Sequence, residues 1–277
     1  MNRGYLGRKV FYSAVTIFAV LIINFFLFRI IPGDPVSMLV RNPNLTQEAA
    51  RNIREMFGLD QPLYRQFIIY LKNLFRGDWG MSFIYKQPVT AIIGERLPAS
   101  LLLAVLAEVL AILMGVFLGV LAAWKRGRKV DVLSLGFSLV TYAMPTFWLG
   151  IMLIAFFGGF LKLFPTSGML SSSMIFITGY KRTLDALWHL FLPTLTLSLV
   201  LIGEYMLVMR STLIDVLTED YIITARAKGL PEKRVLNKHA LPNAMIPMVT
   251  IISMNLGLTI TGALQVETVF SWPGLGR

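Results

Sequence analysis

Apolar residues run in long stretches along this chain, broken by shorter polar segments. The runs cover residues 10–31, 99–124, 132–161, 186–209 and 244–270. As helices rising about 1.5 Å per residue, each is long enough to cross a hydrocarbon core of about 30 Å. The pattern predicts an all-α polytopic membrane protein with about five visible spans. Pro145 interrupts the third run and predicts a bend there, which neighbouring helices can absorb. Pro247, Gly257 and Gly262 soften the fifth. The first run is too long for a signal-peptide core and no small-residue cleavage site follows it, so it reads as a retained span.

The polar segments set an orientation. Arg3, Arg8 and Lys9 precede the first span, and Lys125, Arg126, Arg128 and Lys129 close the second. Short basic loops stay on the cytoplasmic side, so the N-terminus is expected inside. Three regions follow: 1–31, a cytoplasmic start and first span; 32–98, an external insert; and 99–277, the core, with a cytoplasmic loop at 210–244. The insert carries eight basic and six acidic residues and predicts helices over 46–57 and 62–75. On the second, Phe67, Tyr70, Leu71 and Leu74 share a face. The insert reads either as a cap on the bundle or as a docking surface for an external protein.

The most polar internal stretch is TEDYIITARAKGLPEKRVLNKHALPN, residues 218–243. Thr218 is placed to cap a helix, with Glu219 and Asp220 in its first turn, where the helix dipole favours negative charge. Ile222, Ala225 and Gly229 fall on one small apolar face, away from Arg226 and Lys228. Gly229 suits the position after the helix end, Pro231 the first position of a second helix, and Pro242 its stop. Local chemistry alone fits two readings equally: a solvated loop, or a rigid basic helix–turn–helix gripped by a soluble partner.

Composition narrows the function classes. Of 277 residues, 56% are hydrophobic and 15% charged, against about 25% charged in soluble domains. The net charge of +11 fits positive loops at a lipid surface rather than nucleic-acid binding. There is no cysteine, and His189 and His239 are the two histidines, far apart in sequence, so no metal site is expected. The nucleotide-binding loop GxxxxGK[ST] is absent, as are HExxH and GxSxG, so no catalytic residues are assigned and an enzyme has no chemistry to rest on. Asn24, Glu108 and Asn255 are polar within spans, where such groups face a cavity or a partner. They are the candidates for lining a substrate pathway, against a plainer role in packing. Glu204 is placed to pair locally, close to Arg210.

Residues 218–243 resemble the EAA loop of ABC importer permeases. That motif has a Glu-Ala-Ala run, a glycine four residues after the second alanine, and a downstream Leu-Pro pair. Ile223, Thr224 and Ala225 occupy the run, Gly229 the glycine, and Leu241 and Pro242 the pair; the glutamate and first alanine are absent. TARAKGL followed by HALPNAMIP resembles the dipeptide, oligopeptide and nickel branch. Further runs agree in order: IPGDP at 31–35, GLDQP at 58–62, RGDWGMSF at 76–83, ERLPAS at 95–100, MPTFWLG at 144–150 and ETVFSWPGLGR at 267–277.

The resemblance implies a type I ABC importer transmembrane domain. Its members continue beyond WPGLG into a sixth span, so truncation before that span is expected. It also implies the partners: a second permease subunit (identical or different), two ATP-binding subunits that hold ATP and Mg, and an extracytoplasmic substrate-binding protein. The chain itself needs no cofactor, and its place is the prokaryotic cytoplasmic membrane. The first helix of the loop would enter a cleft of the ATPase. Glu219, Asp220, Tyr221, Ala225, Arg226, Lys228, Gly229, His239, Leu241 and Pro242 are the coupling residues this implies. Ala225 and Gly229 would permit close approach, and Arg226 and Lys228 would meet acidic groups at the cleft rim. The substrate implied is a dipeptide or oligopeptide, with nickel chelates and oligosaccharides as alternatives. An ion-coupled secondary transporter or channel is the rival reading; it would show paired intramembrane carboxylates or an inverted repeat, and no convincing repeat is present.

Overall fold

A computed structural model describes residues 3–30, 48, 61–82, 84–174 and 176–277. The described residues are helical, joined by turns, and fall into two compact units, Met1–Thr90 and Ala91–Arg277.

In the first unit α1, Arg3–Ile30, is a continuous 28-residue helix. Its apolar side chains are mostly exposed, as on a helix solvated by lipid. Phe25 is buried, and its ring lies 5.1 Å from Phe67 and 5.6 Å from Tyr70. Both partners sit on α2, Leu63–Phe75, whose apolar face is the one read from the sequence. After α2 the chain turns tightly. The Asp78 carboxylate accepts the Gly80 N–H at 3.0 Å, and Met81 bridges Pro88. The helix expected over 46–57 lies outside the described residues, but for Glu48.

The second unit holds the bundle. α3, Val89–Trp124, has 36 residues, begins well before position 99 and runs straight through Pro98. A turn at Gly127, with φ +76°, leads into α4, Lys129–Ala143. The bend expected at Pro145 is a break. α4 and the following α5, Thr146–Leu153, continued by a wide π turn over Ile154–Phe160, meet at 106°. The residue before a proline is pushed out of the helical region, and Met144 is extended, with ψ 133°. α6, Tyr180–Leu217, is 38 residues long and carries Pro193 inside it. Two short helices, α7 at Asp220–Ala227 and α8 at Glu232–Val235, precede α9, Leu241–Val269. Among the described residues four helices are long and apolar enough to cross a membrane, five if the bent α4–α5 pair counts as one span.

Small residues set the spacing of the bundle. Ala107, Ala111, Gly115, Gly119 and Ala123 recur every four positions and make one ridge of α3. α6 lies against it so closely that a Cβ on Gly115 would stand 2.6 Å from that of Tyr205, and one on Gly119 2.6 Å from that of Met209. On α6, Gly203 meets α4: a Cβ there would fall 2.7 Å from the Ser138 carbonyl oxygen. Where no aqueous hydrophobic effect drives helices together, such close contact supplies the packing energy. Leu106, Val109, Leu113 and Phe117 point outward on α3, as do Phe147, Trp148 and Ile151 on α5.

Candidate functional site

The TARAKGL turn has a defined geometry. Glu219, not Thr218, stands at the N-cap position of α7, and its side chain makes no capping bond. Thr218 is still helical, and its hydroxyl donates back to the Asp215 carbonyl at 2.7 Å, closing α6. Asp220 stands in the first turn of α7, and the helix ends at Ala227. Gly229 then takes φ +75°, its N–H donates to the Arg226 carbonyl at 2.9 Å, and the Leu230 N–H reaches the Ala225 carbonyl at 3.4 Å. This pair of bonds is a Schellman stop, which needs the left-handed residue that glycine supplies without strain.

The stop turns the small apolar face inward. Ile222 and Ala225 are buried with Met209, Leu213, Ala123, Val235, Ala240 and Ala244 in one apolar cluster. The close-approach role assigned to Ala225 is therefore directed at this chain's own bundle. Arg226 is also engaged within the chain, Nε to Glu232 Oε1 at 2.9 Å, across the turn. The exposed surface of α7 and its turn consists of Glu219, Asp220, Tyr221, Ile223, Thr224, Arg226, Ala227, Lys228 and Gly229. Gly229 has open space around it.

The second half departs further from expectation. Pro231 stands one position before α8 as its N-cap. Pro242 does not stop the helix. A π turn over Leu236–Ala240 joins α8 to α9, and Pro242 sits in the first turn of α9. The helical run is continuous through this place, with the Leu241 N–H donating to the Leu236 carbonyl, so Pro242 follows a widened turn rather than a free helix start. His239 is half-buried and its carbonyl accepts the Asn243 amide at 2.8 Å; Leu241 is half-buried and Pro242 exposed. Residues 218–243 are thus one short helix, a rigid turn and the beginning of the last long helix.

The intramembrane polar residues divide. Glu108 is buried and accepts a hydrogen bond from the Tyr205 hydroxyl. Next to Tyr205, Glu204 accepts the Asn255 amide at 3.0 Å, and Asn255 also reaches the Tyr205 hydroxyl. Glu108 and Asn255 therefore meet in one network linking α3, α6 and α9. Asn24 is exposed on α1, in the other unit. Glu204 pairs with Asn255 and not with Arg210, which binds Asp131 instead.

A further cluster was not anticipated. Glu267 is buried near the end of α9; it accepts the Ser100 hydroxyl and the Gly276 N–H, each at 2.6 Å. The Ser100 oxygen accepts the Leu275 N–H at 2.8 Å, and the Trp272 indole N–H reaches the Ala99 carbonyl at 2.9 Å. The WPGLG segment thereby folds back over Glu267 and fastens α9 to α3. A Cβ on Gly274 would fall 2.2 Å from the Glu267 carboxyl carbon, so the glycine is required by space. ERLPAS and ETVFSWPGLG were both conspicuous runs, but nothing local in either pairs Ser100 with Glu267. Among the described residues no group of three or more His, Cys, Asp or Glu could hold a metal ion.

Residues 115–277 match the family described as binding-protein-dependent transport system inner membrane component. Residues 1–104 match the N-terminal region of binding-protein-dependent transport system membrane components. Full-length relatives agree. The chain is 37% identical to the dipeptide transport system permease protein DppB of Escherichia coli K12, over 99% of this chain and 85% of that protein. It is 35% identical to the oligopeptide transport system permease protein AppB of Bacillus subtilis 168, over 99% and 85%. It is 36% identical to the glutathione transport system permease protein GsiC of Escherichia coli K12, over 99% and 84%.

Proposed function

The chain belongs to the family of inner-membrane components of binding-protein-dependent transport systems, and on that premise we propose that it imports dipeptides or oligopeptides. It is a non-catalytic, multi-pass permease subunit of an ABC importer, and ATP is handled by a separate ATPase. The observation that carries the peptide substrate is similarity across 99% of the chain to permeases named for dipeptides, oligopeptides and glutathione. The N-terminus and the 210–244 loop face the cytoplasm, a reading supported by the basic residues flanking the spans. Two permease subunits enclose the pathway, a binding protein delivers substrate from outside, and two ATP-binding subunits grip the α7 turn. The open face of α7, formed by Glu219, Asp220, Tyr221, Ile223 and Thr224, together with Lys228 and Gly229, is the gripped surface. Its backing by Ile222 and Ala225 lets force on the helix reach α6 without loss in a soft loop.

Purification from native membranes, followed by reconstitution with the co-purifying subunits, tests this. Expected are an ATP-binding subunit, a second permease, and ATP-dependent uptake of a labelled dipeptide presented on its binding protein. Uptake of a nickel chelate or an oligosaccharide with no peptide uptake would overturn the substrate. Ion-driven uptake without any ATP-binding subunit would overturn the importer.

A further inference from the structure

We propose that Arg210 and Asp131 are a positioning pair that passes movement of the α7 turn to α4. The inference rests on the importer reading above.

The pair joins residues 79 positions apart. Arg210 Nε lies 2.6 Å from Asp131 Oδ1, and Nη2 lies 2.9 Å from Oδ2. The Gly127 N–H adds a third donor, 2.9 Å from Oδ2. Side-chain exposure is 21% for the arginine and 5% for the aspartate. A fork-to-carboxylate contact fixes orientation as well as distance, and partial burial removes the water that would loosen it. Neutralising Asp131 would not need Arg210, since Lys125, Arg126, Arg128 and Lys129 surround it in sequence. The distant guanidinium adds geometry: it ties the α3–α4 turn and the first turn of α4 to one point on α6.

That point lies between the residues that receive α7. Met209 and Leu213 flank Arg210 and are fully buried in the cluster that holds Ile222 and Ala225. A push on α7 therefore reaches α6 at the level of Arg210. About two turns further along α6, Gly203 touches the α4 backbone at Ser138 and Tyr142. α4 is thus held to α6 at two places, a close backbone contact and an ionic tie. With the first as pivot and the second as tie, tilting α6 must turn α4, and with it the 106° junction to α5.

Arg210→Lys keeps the charge and removes the fork. The chain has no cysteine, so Asp131→Cys with Arg210→Cys can be bridged selectively by a reducible bis-methanethiosulfonate reagent. Both are examined in the reconstituted full complex. For Arg210→Lys, uptake and binding-protein-stimulated ATP hydrolysis fall about tenfold, while the ATP-binding subunits co-purify at wild-type amounts. The unbridged double-cysteine variant behaves likewise, bridging restores uptake, and reduction removes it again. Wild-type uptake by Arg210→Lys, failure of bridging to restore it, or loss of the ATP-binding subunits from either variant would overturn the proposal. Absence of ATP-driven uptake in the wild-type complex would instead overturn the importer reading itself.

Discussion

Gly203→Val is expected to destabilise the subunit by about 2–3 kcal/mol and to lower its yield in membranes severalfold. A Cβ at this position would lie 2.7 Å from the Ser138 carbonyl oxygen, 2.7 Å from the Thr141 hydroxyl and 3.0 Å from the Tyr142 amide nitrogen. Two of these atoms are backbone and cannot rotate aside, so α4 must retreat from α6 along its length. Valine adds two methyl groups to that conflict. Thermal unfolding of the purified subunit in detergent measures the effect. Gly136→Ala is the control, because α4 leaves open space around Gly136, and it should not destabilise the subunit, its added Cβ favouring the helix by up to about 1 kcal/mol. Equal stability of Gly203→Val and wild type would show that the α4–α6 contact is looser than described.

The second large effect is expected at Gly229. Gly229→Arg should leave the subunit folded and inserted, since nothing stands within 4 Å of the added Cβ, yet lower ATP-driven uptake at least about tenfold. Two causes act together. The φ of +75° costs an L-residue about 1–2 kcal/mol, which loosens the stop behind α7. The long cationic side chain also projects from the surface assigned to the ATPase. Gly229→Asn separates them, because asparagine visits the left-handed region readily and is short; it should retain most of the uptake. Transport assays on the two variants, normalised to subunit in the membrane, check the order wild type, asparagine, arginine. Wild-type uptake by the arginine variant would remove the turn from the coupling mechanism.

What the sequence makes legible follows from what is local. The apolar runs place each long helix, because a span must be apolar over its whole length in one stretch of chain. Gly229 declares the α7 stop by its residue type, and Phe67 and Tyr70 declare the inner face of α2 by their spacing. The prolines mislead because their effect depends on helical position. Pro145 was expected to bend a helix and breaks it at 106°, whereas Pro242 was expected to end one and lies in the first turn of α9, after a π turn. Ala225 was assigned an outward role, but the fold turns it into the bundle, whereas Arg226 stays exposed and pairs with Glu232 across the turn.

Pairings across the chain leave no periodic trace. Glu108 with Tyr205, Glu204 with Asn255, and Ser100 with Glu267 each join helices that the sequence keeps far apart. The same holds for the small ridge of α3, whose meaning appears once Tyr205 and Met209 are seen against Gly115 and Gly119.

The proposed coupling requires the outward face of α7 to enter an ATP-binding subunit. Ile223 tests it most directly. It occupies the motif position where a glutamate is missing, and it is a 55% exposed isoleucine on a helix whose other face is buried. Ile223→Cys in this cysteine-free chain can carry a thiol-linked photo-crosslinker in the assembled complex. Expected is a covalent adduct between this chain and the ATP-binding subunit, and none from Ile84→Cys, which is 84% exposed in the turn after α2. An intact, ATP-hydrolysing complex in which position 223 labels only lipid or the second permease would contradict it.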